Sequence, residues 1–472
     1  MRKTKIICTL GPACDDENLL KQMIQNGLDC ARLNFSHGTH AEQKVRMDRV
    51  KKVREELGIP LPILLDTKGP EIRVRLFENK KVELKKGQEF TFSPDYDLIG
   101  NESIVGLTYP NLAVYVNKPG IIILADDGKV SFEVLRIEGK NVVCKVLNDA
   151  TLSDRKSINI PNVIVDMPYI SEADRADLVF GIQECVDYIA ASFVRRKEDV
   201  LAVRELLEQY DTSGKIRIIS KIENTEGIEK MDEIIEVSDG IMVARGDMGV
   251  EVPFKQLPKI QKELIQKCYN KGKIVVTATQ MLDSMQSNPR PTRAEVSDVA
   301  NAVLDGTDAV MLSGETTTGK FPVETVRFMA DICKNTEKFY DYDYIFESKV
   351  EKDITATIAE SVISCAETLD VKTIVVCTMS GYSARKISNL KPKCLILAPV
   401  PSEEVARSLA LNWGVYPTVV PVYKTADQLL ESAKEEAKKF SHLDTGDVIV
   451  ITGGLNNKNK EKHTNFLKIE KI

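Results

Sequence analysis

Residues 216–247 read IRIISKIENTEGIEKMDEIIEVSDGIMVARGD, and this stretch carries the pattern that decides the fold. Two short apolar runs, Ile216–Glu223 and Gly240–Asp247, flank an amphipathic segment, Thr225–Val237. Runs of this length followed by a helical pattern are typical of buried parallel strands. The stretch therefore predicts a strand, a helix and a second strand that lies parallel to the first.

The same alternation recurs through the first two-thirds of the chain, which contains eight apolar runs in all. The other six runs are Lys5–Thr9, Asp29–Phe35, Ile63–Asp66, Tyr188–Val194, Lys273–Thr279 and Ala309–Glu315. Amphipathic segments between the runs include Glu42–Leu57, Glu172–Glu184, Glu198–Tyr210 and Gln256–Lys271. Eight strands that alternate with helices predict an α/β fold of the (β/α)8 TIM-barrel type. An open doubly wound sheet is the alternative that the pattern alone leaves open.

The rest of the chain predicts two further domains. Residues 70–167, between the third and fourth runs, alternate Val and Ile with Lys and Glu and contain turn signals such as Lys86-Gly87, which is typical of a small all-β domain. Residues 346–472 resume the α/β pattern, with a strand at Thr373–Thr378 and a helix at Tyr382–Leu390. We therefore expect a barrel of residues 1–69 and 168–345, an inserted β domain and a C-terminal α/β domain.

Composition limits the classes of protein to which the chain can belong. Its 472 residues exceed the roughly 150 of one average domain, so several domains are expected. The 64 basic and 70 acidic residues give a net charge of −6, which is too mild for a nucleic-acid-binding protein. Ten cysteines without a C-x-x-C pair suit reduced thiols in a cytoplasmic protein. No run reaches the roughly 18 apolar residues of a membrane-spanning helix, so no membrane partner is expected.

Polar and charged side chains crowd the ends of six predicted strands. These ends are Arg32–His37, Asp66–Arg73, Lys221–Asn224, Ala244–Asp247, Thr277–Gln280 and Ser313–Glu315. A single Asp or Asn at such a place is commonly a helix cap. Capping does not require Lys, Arg, Asp and Glu together, and a (β/α)8 barrel carries its catalytic groups at the C-terminal ends of its strands. The pattern therefore predicts an active site at this mouth of the barrel.

The residue types at the mouth suit phosphoryl transfer. Glu223 and Asp247 are hard oxygen ligands that would leave positions open for substrate and water, as Mg²⁺ prefers. Arg32, Arg73 and Lys221 supply the positive charge that a transferring phosphoryl group needs. The backbone near Gly246 can approach an anionic group closely. Neutral oxygens and one carboxylate that could surround a monovalent cation come from Asn34, Ser36, Asp66 and Thr67. The P-loop motif G-x-x-x-x-G-K-[ST] does not occur.

Several of these blocks carry a resemblance to a known family. The chain resembles pyruvate kinases over nearly its whole length. The matching blocks are Arg32–Gly38, Asp66–Arg73, Lys221–Asn224, Ala244–Asp247, Ala278–Leu282, Pro289–Glu295 and Ser297–Val303. The resemblance implies a catalytic barrel, an inserted lid domain that is a small β-barrel, and a C-terminal regulatory domain. It also implies transfer of the phosphoryl group of phosphoenolpyruvate to ADP, dependence on Mg²⁺ (or Mn²⁺) and K⁺, and a homotetramer.

The resemblance further implies a role for individual residues. The catalytic set would be Lys221, Arg32, Arg73 and Thr279. The substrate would contact Arg32, Lys221, Gly246, Asp247 and Thr279. The nucleotide would contact Asn34, His37, Arg73 and Lys156. Glu223 and Asp247 would hold the divalent metal, and K⁺ would be held by Asn34, Ser36, Asp66 and Thr67. An acidic residue at Glu71 goes with K⁺ dependence in this family.

The sequence alone leaves four points open. The proton donor to the enolate could be Thr279 or a water network near Ser313 and Glu315. The loop Thr378–Ser383 would bind a phosphorylated effector through Thr378, Ser380, Gly381, Tyr382 and Ser383, or be an ordinary capped turn. Fructose 1,6-bisphosphate, ribose 5-phosphate and AMP are candidate effectors. A lyase or aldolase on the same barrel and a silent sugar-phosphate sensor are the alternative functions, and the basic stretch Asn456–Lys462 has no assigned role.

Overall fold

A closed barrel of eight parallel strands forms the centre of the chain, in a computed structural model that describes residues 1–210, 212, 214–342, 353–440, 443–454 and 464–472. Each strand pairs with its neighbours in chain order, and the last pairs with the first. The strands are Lys5–Thr9, Cys30–Asn34, Ile63–Asp66, Tyr188–Ala191, Arg217–Ile222, Gly240–Ala244, Ile274–Ala278 and Ala309–Leu312. The predicted TIM-barrel fold is confirmed, and the open-sheet alternative is excluded.

Helices surround the barrel because each strand is followed by an amphipathic segment that packs back on it. The longer helices are Glu17–Gln25, His40–Leu57, Glu172–Gln183, Lys197–Gln209, Leu257–Lys271, Arg293–Leu304 and Pro322–Thr336. The helix predicted over residues 225–237 is divided at Lys230 into Thr225–Glu229 and Met231–Val237. The fourth, sixth and eighth strands end three residues earlier than predicted. After the sixth and eighth, short helices at Arg245–Glu251 and Gly314–Thr317 begin where the polar residues do.

An all-β domain is inserted between the third and fourth barrel strands. Its seven-stranded sheet has the order Ile72–Arg73, Ser157–Asn159, Ile122–Ala125, Val130–Glu138, Asn141–Val146, Glu89–Ser93 and Ile104–Gly106. Its other elements are the strand pair Lys81–Leu84 and Ala150–Ser153 and the short helix Leu112–Tyr115. A bridge between Val74 and Leu107 and a 2.9 Å hydrogen bond from Thr108 to Arg73 join the two edges of the sheet. The sheet thus rolls up around a core that includes Phe90, Phe92 and Phe132.

The C-terminal domain is a five-stranded α/β sheet. Its strand order is Val415–Val419, Leu395–Val400, Thr373–Cys377, Val448–Gly453 and Phe466–Lys471, and only the last strand is antiparallel. Its helices are Ile354–Thr368, Tyr382–Asn389, Glu403–Arg407 and Ala426–Lys439. The basic stretch Asn456–Lys462 lies outside the described residues.

The C-terminal domain packs against the N-terminal end of the barrel. Leu411 is completely buried and belongs to the same apolar cluster as barrel-interior residues such as Tyr188 and Met242. The Tyr188 hydroxyl donates to the Ser408 carbonyl at 2.8 Å, and Arg407 Nε donates to Asp187 Oδ1 at 2.7 Å. The opposite, C-terminal mouth of the barrel therefore remains for a functional site. In the described part of the chain, no helix combines the length and apolarity required to span a bilayer.

Candidate active site

The C-terminal mouth of the barrel is organised around the ammonium group of Lys221. Its Nζ donates to Asp66 Oδ1 at 3.1 Å and to Ser192 Oγ at 2.8 Å, and it lies 3.1 Å from Glu223 Oε1. Glu223 directly follows the strand Arg217–Ile222, and it meets Lys221 because residues two apart in extended chain share a face. Burial alone would lower the pKa of Lys221, but the Asp66 and Glu223 carboxylates raise it above its ordinary value. The mouth therefore holds a fully charged cation in a buried position.

Asp66 is the counterion between the two buried cations of the mouth. It is 1% exposed, and its Oδ2 accepts a hydrogen bond from Arg32 Nε at 2.6 Å, while Oδ1 faces Lys221. Arg32 Nη1 also donates to Thr9 Oγ1 at 2.7 Å. Burial alone would raise the pKa of Asp66, but Arg32 and Lys221 hold it below its ordinary value. Two positive groups are thus fixed beside one carboxylate at the base of the site.

Glu223 presents an oxygen that suits a hard cation. The side chain is completely buried, and its Oε2 accepts a hydrogen bond from the Phe193 amide at 2.6 Å. Its Oε1 is also buried, and the Lys221 ammonium lies 3.1 Å from it as an ion-pair partner. Burial raises the pKa of Glu223 to about 8, and Asp247 acts in the same direction while Lys221 opposes it. Buried carboxylates in this situation need a cation or a proton.

The described residues contain no cluster of three or more His, Cys, Asp and Glu side chains that could hold a metal ion. A pair of carboxylates that leaves positions for substrate and water is the arrangement that Mg²⁺ commonly takes. Asp247, half-buried on the short helix Arg245–Glu251, lies close enough to Glu223 to raise the pKa of that carboxyl.

Gly246 and Thr279 form a strained corner on the neighbouring strand ends. The Gly246 amide donates to Thr279 Oγ1 at 2.8 Å, and Thr279 Oγ1 lies 2.6 Å from the Ala278 carbonyl. Thr279 has a φ of 69°, and Gln280 has a φ of 53°. A β-branched residue is costly in this region, so the surrounding contacts must impose the conformation. The corner is braced by Arg245, whose Nη2 donates to the Thr279 carbonyl at 2.7 Å.

The predicted nucleotide-binding cations lie on the inserted domain and are paired with carboxylates. Arg73 Nε lies 2.6 Å from Glu71 Oε2, and Lys156 Nζ lies 2.8 Å from Asp126 Oδ1. Burial raises the pKa of Glu71 in spite of Arg73. Partial desolvation of the ring, together with the positive charges of Arg73 and Arg32, lowers the pKa of His37. Both cations of the inserted domain are therefore engaged in ion pairs in this structure.

The residues predicted to surround a monovalent cation lie on the second and third strand ends. Asn34 Oδ1 accepts a hydrogen bond from the Ser36 amide at 3.0 Å. Thr67 is buried, and its Oγ1 accepts a hydrogen bond from the Ser192 amide at 3.0 Å. Asp66 adds the one carboxylate, although both of its oxygens already face cationic side chains. Of these four residues, Asp66 contacts Lys221 directly, and Thr67 is connected to it through Ser192.

The eighth strand end holds the second candidate source of a proton. Glu315 accepts hydrogen bonds from the amides of Leu282 at 3.1 Å and Ser313 at 2.7 Å. Burial raises the pKa of Glu315. The buried Ser313 Oγ has no hydrogen-bond partner among the described residues. That hydroxyl is therefore available to a ligand or a water.

The predicted effector loop lies in the C-terminal domain, between the strand Thr373–Cys377 and the helix Tyr382–Asn389. Its Gly381 amide donates to Thr378 Oγ1 at 3.0 Å, and Ser383 Oγ lies 2.5 Å from Thr464 Oγ1. Arg385, which the sequence analysis did not select, donates from Nη2 to the Ser380 carbonyl at 3.0 Å. Burial, with Arg217 in the same direction, lowers the pKa of Arg385 to about 9.

Ser192 and Phe193 are site residues that sequence reasoning missed. Ser192 Oγ contacts the Lys221 ammonium, and the Phe193 amide contacts Glu223. Both lie near the end of the predicted run Tyr188–Val194, which carries no charge. The fourth strand therefore gave no polar signal of the kind that marked the other six strand ends.

The chain is a TIM barrel with an inserted domain and with a buried cluster of cations and carboxylates at its C-terminal mouth. This mouth is where TIM-barrel enzymes carry their active sites. Residues 1–326 match the family profile "Pyruvate kinase, barrel domain", and residues 356–470 match "Pyruvate kinase, alpha/beta domain". The chain belongs to the pyruvate kinase family, and it is therefore a phosphotransferase.

Individual pyruvate kinases align with the chain over its whole length. It is 46% identical to the pyruvate kinase of Clostridium perfringens, with 100% of both chains covered. It is 48% identical to that of Staphylococcus saprophyticus, covering 100% of this chain and 81% of the relative. A crystal structure of a pyruvate kinase from Cryptosporidium parvum is 39% identical, has a TM-score of 0.93, and covers 100% of this chain and 96% of that one.

Proposed function

We propose that this chain transfers the phosphoryl group of phosphoenolpyruvate to ADP, giving pyruvate and ATP. The observation that carries the proposal is the Lys221 ammonium, buried at the barrel mouth and held within 3.1 Å of two carboxylates. A fixed cation in a water-poor site can neutralise charge that develops during phosphoryl transfer.

The substrate roles follow from the positions of the groups. Arg32, next to Lys221, would contact the substrate phosphate. Lys221 would steady the transferring phosphoryl group and the enolate oxygen. The backbone at Gly246 and Asp247 and the Thr279 hydroxyl would hold the carboxylate, and binding would then replace the hydrogen bond between Gly246 and Thr279.

The oxygen donors suit the two cations that the family uses. Glu223 and Asp247 would hold Mg²⁺ or Mn²⁺, because carboxylate oxygens are hard ligands and Glu223 Oε1 is buried at the mouth, beside the Lys221 ammonium. When bound, the divalent ion supplies charge neutralisation for phosphate and enolate oxygens. K⁺ would be held by Asn34, Ser36, Asp66 and Thr67.

The nucleotide would enter between the inserted domain and the barrel. Arg73 and Lys156 would bind the ADP phosphates, with His37 and Asn34 beside them. Arg73 is paired with Glu71 and Lys156 with Asp126, so nucleotide binding would replace these carboxylates with phosphate oxygens.

Protonation of the enolate would come from Thr279 or from a water held near Ser313 and Glu315. Thr279 Oγ1 is already hydrogen-bonded to Ala278 and Gly246, whereas the Ser313 hydroxyl has no partner among the described residues. Both groups lie on strand ends that face the same mouth.

A phosphorylated effector, fructose 1,6-bisphosphate, ribose 5-phosphate or AMP, would bind the loop of Thr378, Ser380, Gly381, Tyr382 and Ser383. Since this loop lies in a different domain from Lys221, the effector would act on the equilibrium between conformations. We further propose that the protein acts in the cytoplasm as a homotetramer.

The test is a coupled assay of pyruvate formation from phosphoenolpyruvate. Activity that requires ADP, and that EDTA abolishes and excess Mg²⁺ restores, is the expected result. Pyruvate released without ADP would favour the lyase or aldolase alternative. Binding of sugar phosphates without any turnover would favour the sensor alternative.

A further inference from the structure

We propose that Ser192 is a positioning residue that fixes the ammonium group of Lys221 for phosphoryl transfer; the inference rests on the proposed function. Ser192 follows the fourth barrel strand, Tyr188–Ala191, and is 1% exposed. Its Oγ is 2.8 Å from Lys221 Nζ, which is shorter than the 3.1 Å contacts of Lys221 with Asp66 and Glu223.

The Ser192 hydroxyl has two candidate acceptors for its single proton. Its Oγ lies 2.6 Å from the Thr67 carbonyl and 3.1 Å from Asp66 Oδ1. A hydroxyl has one proton and two lone pairs, and an ammonium can only donate. The shorter contact favours donation to Thr67, so that a lone pair of Ser192 accepts from Lys221.

The backbone of Ser192 is itself held from two sides. Its amide donates to Thr67 Oγ1 at 3.0 Å, and its carbonyl accepts from the Tyr169 hydroxyl at 2.9 Å. Gly69 packs so closely that a Cβ there would lie 2.7 Å from the Ser192 carbonyl oxygen. The Ser192 hydroxyl thus cannot follow a movement of Lys221, and it acts as a fixed acceptor.

The arrangement accounts for the three protons of the ammonium. Asp66 and Ser192 take two of them, and the third is left on the side of Glu223 and the open mouth. Because the barrel wall fixes these two acceptors, the direction of the third N–H bond of Lys221 is set before the substrate binds. Such preorganisation lowers the cost of reaching the transition state.

Phe193, the next residue along the chain, holds Glu223 in the way that Ser192 holds Lys221. It has a φ of 54°, in the left-handed region, and this turn directs its amide to Glu223 Oε2 at 2.6 Å. Two consecutive residues therefore position Lys221 and Glu223, one through a side chain and the other through the backbone.

The test compares Ser192→Ala with Ser238→Ala in the coupled assay. Ser238 is equally buried and hydrogen-bonds to Ser220 Oγ at 2.7 Å, in the barrel wall rather than the mouth. We expect Ser192→Ala to lower kcat about 10- to 100-fold, as for loss of a hydrogen bond to a charged group, with KM for phosphoenolpyruvate changed less than threefold. Ser192→Thr, which keeps the hydroxyl, should recover most of the loss, and Ser238→Ala should stay within threefold of wild type.

A double-mutant cycle with Lys221→Met separates positioning from a general structural effect. If Ser192 acts through Lys221, then Ser192→Ala should cost less than threefold in the Lys221→Met background. An equal loss in both backgrounds, or a kcat within twofold of wild type for Ser192→Ala, would overturn the inference. Thermal melting of each variant shows whether the folded fraction is unchanged. A wild-type enzyme without ADP-dependent turnover would instead refute the proposed function.

Discussion

Replacing Lys221 with Met removes the one ammonium that lies between Asp66 and Glu223 and leaves a side chain of similar length. An ammonium about 3 Å from half a unit of developing charge, at an effective dielectric constant of about 20, contributes about 3 kcal/mol. This contribution exists in the transition state more than in the ground state, so it should appear in kcat and leave KM nearly unchanged. The expected loss of kcat is at least about a hundredfold.

The fold should survive this change because each carboxylate keeps a partner. Asp66 keeps its 2.6 Å contact with Arg32 Nε, and Glu223 keeps the Phe193 amide. The pKa of Glu223 is already about 8, and loss of Lys221 would raise it further, so that this carboxyl can become neutral. A melting curve close to that of the wild type would establish that the variant is folded.

Lys5→Met is the matched control for the assay. Lys5 is 3% exposed, lies on a barrel strand, and donates to the Val415 carbonyl at 2.7 Å at the other end of the barrel. Steady-state assays of both variants should show the large loss for Lys221→Met alone. A Lys221→Met enzyme that keeps more than about a tenth of the wild-type kcat would refute the assigned role.

Four other predictions concern separate parts of the chain. Activity should require K⁺, and Glu71→Lys should relax the requirement by placing an ammonium near the cation site; equal rates with K⁺ and a bulky organic cation would contradict this. Thr378→Ala combined with Ser380→Ala should abolish the effector-induced shift in the phosphoenolpyruvate saturation curve and keep the unstimulated rate; an unchanged shift would leave the loop as a turn. Because the folded-state pKa of Glu223 is raised to about 8, the metal-free protein should lose stability as pH rises from about 4.5 to 8, and Glu223→Gln should flatten that dependence in urea unfolding. Arg385→Met should raise the melting temperature, since the buried Nη1 has no hydrogen-bond partner among the described residues; a lower melting temperature would show that the cation is satisfied.

The barrel could be predicted from sequence because each strand is a short, mainly apolar run that is buried over all or nearly all of its length. The strand Ile63–Asp66 was predicted with the bounds that the structure has. Prediction failed at the ends of the sixth and eighth strands, where polar residues such as Asp247 and Glu315 belong to short helices. The hydrophobic pattern marks where a strand is buried, but it does not show how the chain turns after the strand.

The site was predictable only where its residues are neighbours in sequence. Lys221 and Glu223 could be paired from their spacing of two residues. The contact between Lys221 and Asp66 joins residues 155 positions apart, and it depends on barrel closure rather than on any local pattern. Ser192 gave no signal, because a serine after an apolar run is chemically ordinary until its neighbours in space are known.

The position of Leu411 in the barrel core limits how domains can be exchanged between related enzymes. The side chain belongs to the C-terminal domain in sequence but fills the base of the barrel, among residues that include Ile7 and Ile219. An exchange of C-terminal domains between relatives therefore also exchanges part of the catalytic domain's own packing. A chimera can keep every residue of the barrel mouth and still pack poorly at the base of the barrel. The residue at position 411 and the barrel residues that contact it should therefore come from the same parent.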